Sequence, residues 1–151
     1  KELVGTNHGV SAPVYERWIG RPPSVADMKA ITKDIAAAIF RKWYWNPIQG
    51  DTIKSNAIAH FIFDFHVNSG TWAMKIMRRA LKLPEATANL TTPEVNLLNS
   101  LTDPAGFLEK YKNARVAFIN SSTKISPDFK KGVINRINTV YDEVKKKISQ
   151  H

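Results

Sequence analysis

Apolar side chains return every three or four positions through most of this chain, which is the period of helices with one buried face. Ile35, Ile39 and Trp43 stand at i, i+4 and i+8 behind Thr32, a good N-cap, and Asn46-Pro47 ends the run. The spacing predicts a helix from Thr32 to Trp45. A second is predicted from about Asp51 to Val67, closing at Asn68-Ser69-Gly70, where glycine suits the left-handed residue after a helix. Thr71 then caps a third, with Trp72, Ile76, Ala80 and Leu83 inward and Pro84 beyond its end. Three later helices begin with a capping side chain followed by proline: Thr92-Pro93, Asp103-Pro104 and Ser126-Pro127. The last carries Phe129, Val133, Ile137, Val140, Val144 and Ile148 on one stripe. Only the first dozen residues look extended, enough for a small hairpin at most.

Inside the second helix the apolar run AIAHFIFDFHVNSG carries one carboxylate, Asp64, between Phe63 and Phe65. Burying an ionised carboxylate without partners is expensive, and the last turns of a helix disfavour an anion. Donors close in sequence are Asn68, one turn on, the hydroxyls of Ser69 and Thr71, and the backbone opening the next helix. Asp64 and Asn68 are therefore expected to join two helices at the floor of a cleft, in structural service ahead of catalysis.

At 151 residues the chain is one domain, or one domain with a small lobe, long enough to bury a core. Zero cysteines exclude disulfides and thiolate metal sites. The opening KELVGTNHGV has neither an initiator Met nor the order of a signal peptide, so residue 1 is not expected to be the natural start. No apolar run is long enough to span a bilayer, and no membrane insertion is expected. A formal charge of +9 favours polyanionic partners: nucleic acid, anionic lipid headgroups, or teichoic and peptidoglycan polymers. Much of the excess lies in Lys130, Lys131, Arg136 and the run Lys145 to Lys147, which reads as a solvated helix face.

The chemistry that these residues permit is narrow. His60 and Asp64 share a helical face with His66 nearby, but there is no HExxH and no matching third ligand, so no metal is expected. GxSxG, Walker and Rossmann patterns are absent, and no cofactor is expected. Glycosidic chemistry needs a carboxylic acid, a second polar group and aromatic faces for sugar rings. Aromatics occur in RKWYWNPIQGD, where Tyr44 and Trp45 could serve as a sugar platform or fill core.

Longer stretches carry a resemblance. GTNHGVSAPVYERWIGRPPSVADMKAITKDIAAAIFRKWYWNPIQGD and AIAHFIFDFHVNSGTWAMKIMRRAL are similar to glycoside hydrolase family 108, phage and bacterial N-acetylmuramidases once described as secretion activators. Its most specific pieces are T-N-x-G-[IV]-[ST] at Thr6 to Ser11, YW-P-I-x-G-D from Tyr44 to Asp51, and FDFxVNSG. Later, LTTPEVNLLN and FKKGVINRIN follow the family in order, with Val133 where a tryptophan is usual.

The resemblance implies an all-α, lysozyme-like fold with a small N-terminal β-hairpin, and hydrolysis of the β-1,4 bond between N-acetylmuramic acid and N-acetylglucosamine. It implies a muramidase lobe over residues 1–70 and a helical predicted peptidoglycan-binding lobe over 71–151. The partner would be peptidoglycan glycan strands, met in the periplasm or after export. The family's catalytic acid is the glutamate of an E-G-G motif over a dozen residues before T-N-x-G, so it is expected upstream of residue 1; the role is not transferred to Glu2. Thr6 and Asn7 become candidates for positioning water or an N-acetyl group, Tyr44 and Trp45 for holding sugar rings, and Asp64 and Asn68 for the cleft floor. The alternative is a non-catalytic peptidoglycan-binding or secretion accessory protein. Nucleic-acid binding through the Lys-rich last helix has only charge behind it, and no nucleic-acid partner is expected.

Overall fold

A computed structural model of the protein describes residues 6–149; Glu2 and the Leu3-Val4 pair lie outside the described residues. The chain divides into two compact units, one ending at Tyr44 and the other beginning at Trp45.

The first unit opens on the expected hairpin. Strands β1 (Thr6–Asn7) and β2 (Val10–Ser11) pair antiparallel, Thr6 opposite Ser11 and Asn7 opposite Val10. The two turn residues, His8 and Gly9, both have positive φ, 52° and 80°, as a two-residue turn matching the strand twist requires. Helix α1 (Ala12–Ile19) follows, ending on Gly20 at φ 79°. A capping box between Ser24 and Asp27 then starts α2 (Val25–Lys29). Both helices are too short for apolar spacing to announce them, and neither is among the predicted elements. Thr32 caps α3 (Lys33–Phe40) as expected, its hydroxyl accepting from the Ile35 N–H at 3.1 Å. Val10, Tyr15, Met28, Ile31, Ala36 and Ile39 form this unit's core.

The helix predicted to reach Trp45 stops at Phe40, and Arg41–Trp45 forms a π-helical turn followed by 3₁₀ turns at Asn46–Ile48 and Gly50–Thr52. Pro47 explains the change: it has no N–H for the carbonyl of Trp43, and its ring disfavours helical geometry at Asn46. Gly50 lies so close beneath the Trp45 ring that an added Cβ would collide with it.

In the second unit α4 (Asn56–Ser69) is the central element. It starts five residues later than expected, at the Ser55 cap. Ile58, Phe61, Ile62 and Phe65 are fully buried, each worth about 1.5–3 kcal/mol of burial. Around it lie α5 (Trp72–Ala80), α6 (Thr92–Asn99), α7 (Pro104–Ser121) and α8 (Pro127–Ser149). Within this unit α4 packs against α5, α7 and α8.

Asp103 and Ser126 cap their helices as expected, accepting from Gly106 N at 2.9 Å and Phe129 N at 3.3 Å. Five positions differ from the expectation. Thr71 makes no capping bond, and the cap of α6 is Thr91, whose box partner is Glu94. Leu83 lies beyond the end of α5. Trp72 and Phe129, both expected inward, are 40% and 65% exposed. Each lies in the first turn of its helix, where period-based spacing continues past the edge of the core.

One buried ion pair fixes the long connection between α5 and α6. Arg78, 2% exposed, donates from Nε and Nη2 to both oxygens of Glu94 at 2.6 and 2.8 Å. It also donates to the carbonyls of Ala86, Ala88 and Asn89 at 2.7, 2.8 and 3.0 Å. That guanidinium holds the Glu94 carboxyl well down, to about 2, with Thr91 adding to the effect.

Candidate functional site

The buried carboxylate of FDFHVNSG does have partners, and they come from far along the chain. Arg115 of α7 meets Asp64 Oδ2 through Nη2 at 2.9 Å. Arg136 of α8 donates to both carboxylate oxygens, at 2.5 Å to Oδ1 and 3.3 Å to Oδ2. Asp64 thus ties α4 to α7 and α8. Asn68 lies where its spacing put it, one turn on, but its Nδ2 donates mainly to the Asp64 backbone carbonyl at 2.7 Å and lies 3.4 Å from Oδ1. These two arginines, distant in sequence, are donors that local spacing around Asp64 does not announce.

A signal for Arg115 was present. Tyr111, Arg115 and Ile119 stand at i, i+4 and i+8 on α7, which puts a cation on the inward stripe. A cation and an anion each misplaced in apolar runs are each other's natural partners.

The arginines sit in different surroundings. Arg115 is 1% exposed and lies over the rings of Phe61 and Phe65, 5.1 and 4.7 Å from their centroids. Its Nε and Nη1 have no hydrogen-bond partner among the described residues. Burial lowers its pKa, while Asp64 opposes that shift. Arg136 has a half-exposed side chain. Both line a cavity of about 410 Å³ with Asn68, Phe118, Phe129 and Val133.

Two turns before Asn68, His60 Nδ1 lies 3.0 Å from Nζ of Lys147. The ammonium can only donate, so Nδ1 accepts and the imidazole is neutral. Burial, and then Lys147, lower the His60 pKa. Among the described residues no group of three or more His, Asp or Glu could hold a metal ion, and no helix is long and apolar enough to cross a membrane.

In the first unit Thr6 is exposed on the hairpin, and the Asn7 side chain donates to the Met28 carbonyl at 2.8 Å, joining the hairpin to α2. Tyr44 closes this unit, half-buried, its ring 5.8 Å from that of Phe40. An aromatic pair stands beside it in sequence: Trp43 meets Trp18 edge-on at 5.4 Å, with the Arg17 guanidinium 4.0 Å over the Trp43 ring. Trp45 opens the second unit. Its Nε1 donates to Asp51 at 2.9 Å, its ring meets Phe63 at 5.5 Å, and it is half-buried.

Helices packed on a central apolar α4, with a single short hairpin among the described residues, make this an all-α, lysozyme-like protein. Residues 5–70, from the hairpin through α4, match the family described as Glycosyl hydrolase 108. Among solved structures the chain is similar to the Brucella abortus protein SagA at 26% identity and a TM-score of 0.80, over 92% of this chain and 78% of that one. Residues 5–70 are thus similar to glycosyl hydrolase family 108, and the fold is similar to that of SagA. These likenesses point to peptidoglycan hydrolases and proteins related to them, with a glycan as the class of substrate. No curated protein sequence matches it.

Proposed function

We propose that the protein acts as a lysozyme-type muramidase, cleaving the β-1,4 bond between N-acetylmuramic acid and N-acetylglucosamine in peptidoglycan. The observation that carries this reading is the family match over residues 5–70, which includes the hairpin, the aromatic segment and FDFHVNSG. The general acid of this reaction is the glutamate of the family's E-G-G motif, a role given to none of the residues described. It protonates the glycosidic oxygen as the bond breaks, and an oxocarbenium-like state develops on the sugar.

Thr6 and Asn7 position the water or an N-acetyl group, and Tyr44 and Trp45 carry sugar rings. Asn7 is suited to holding a fixed orientation, because its amide is already anchored on the Met28 carbonyl. Asn68 enters as a polar group on α4 of the second unit. Asp64 enters as a structural carboxylate, both of its oxygens engaged by arginines. Surface cations on α8 attract the acidic wall polymer.

The test is digestion of purified sacculi by the full-length gene product, followed by assay of new reducing ends. Muropeptides with muramic acid at the reducing end are expected. Sacculus binding without release of any muropeptide would replace this reading with that of a peptidoglycan-binding accessory protein.

A further inference from the structure

The cavity lined by Arg115 and Arg136 has a chemistry that differs from that of a sugar platform. Its walls are Phe118, Ile119, Phe129, Val133 and Ile137, supplied by α7 and α8. At about 410 Å³ it falls within the usual range of small-molecule sites, roughly 300–1,000 Å³. The charged side chains that line it are Arg115 and Arg136, and the anion that both hold is Asp64. Two cations against one carboxylate leave one positive charge in excess.

Neither guanidinium is saturated. Each carries five donors. Asp64 takes two from Arg136, and Arg115 has two nitrogens unpaired while almost wholly buried. Buried donors in a native structure are nearly always paired, so two orphaned nitrogens beside a cavity call for an acceptor.

We propose that this cavity binds a small amphiphilic monocarboxylate. Its aliphatic body occupies the space among Phe118, Ile119, Val133 and Ile137, and its carboxylate pairs with Arg136 in front of the buried charge of Arg115. The net +1 selects a monoanion; a neutral molecule of the same shape leaves that charge unanswered, and a small anion without a body leaves the walls unfilled. The cavity shares Asn68 with the proposed muramidase site, but octanoate binding is read without any glycan present, so its failure and the failure of the muramidase reading are distinguishable.

Octanoate is the probe, titrated into the full chain by calorimetry, with octanol and acetate as matched controls and methyl NMR signals of Ile119 and Ile137 as reporters. Octanoate is expected to bind saturably and shift both isoleucines, with octanol at least about tenfold weaker and acetate showing no saturation. Arg136→Gln leaves Arg115 on Asp64, and is expected to weaken octanoate about tenfold while changing octanol less than twofold. Val133→Trp fills the cavity and should remove both. Thermal unfolding of each variant confirms that it is folded. Absence of saturable octanoate binding overturns the proposal. So does octanoate binding that survives Val133→Trp, or an equal loss of octanol and octanoate in Arg136→Gln.

Discussion

Two arginines are buried in the second unit, and the chain treats them differently. Arg78 uses its guanidinium fully, with two bonds to Glu94 and three to carbonyls of the α5–α6 connection. Arg115 is equally buried but has one ion pair, two aromatic faces and two unpaired nitrogens. A charge that is completely satisfied fixes one conformation of the backbone around it. A charge that is partly satisfied, against rings that supply only a diffuse attraction, stores binding capacity instead.

The comparison breaks most sharply at Arg78. Arg78→Met strands three carbonyls and leaves Glu94 partly buried without its cation, so a loss of about 4 kcal/mol is expected. In a chain of this size that lowers the melting temperature by about ten degrees. Calorimetry or circular dichroism measures it, and a change under two degrees would show that the connection is held by something other than this ion pair.

Asp64→Asn comes next, at about 3 kcal/mol, because it leaves the buried Arg115 without an anion. The proposed muramidase activity should survive wherever the variant is folded. Complete loss of activity at an unchanged melting temperature would make Asp64 a catalytic group and end its structural assignment. Arg115→Met should cost less, about 1 kcal/mol, since Arg136 still answers Asp64 and the thioether packs well on Phe61 and Phe65. If Arg115→Met proves as damaging as Arg78→Met, the two arginines are not different in kind.

What the sequence made legible follows the range of the interactions. Hairpin, caps and helix period are local, and Gly9, Thr32, Asp103 and Ser126 appear where residue chemistry put them. The fold class was legible as well, through periodicity and through motifs such as FDFHVNSG. Positions at element ends were harder. Trp72 and Phe129 continue an apolar period beyond the point where the core can receive them. Pro47 ends an α-helix five residues earlier than a simple stop signal suggests, because its missing N–H acts backward along the chain. The partners of Asp64 were least accessible: Arg115 and Arg136 are 51 and 72 residues away, and only tertiary packing brings them in.

The smallest expected effect separates the same two regions by pH. The Glu94 carboxyl is depressed from 4.5 to about 2, so the stability it contributes is present above its unfolded value and is lost only as pH falls from there towards 2. Between pH 7 and 5 the Arg78 pin is therefore constant. His60, on α4 with Asp64, behaves otherwise. Its folded pKa lies below the unfolded value of 6.5, because burial and Lys147 outweigh the opposing pull of Asp64 and Glu143. The unfolded chain then binds the proton first, so stability is complete above pH 6.5 and declines as pH falls through the folded pKa. Protonation also removes the acceptor that Nδ1 offers Lys147, which loosens α8 from α4. A drop of about two degrees in melting temperature from pH 7 to 5 is expected, and His60→Gln, which retains an acceptor and cannot titrate, should flatten it. Amide exchange should quicken in α4 and α8 over that interval while α5 and α6 stay unchanged; equal quickening in all four would place the pH response outside the His60–Lys147 contact.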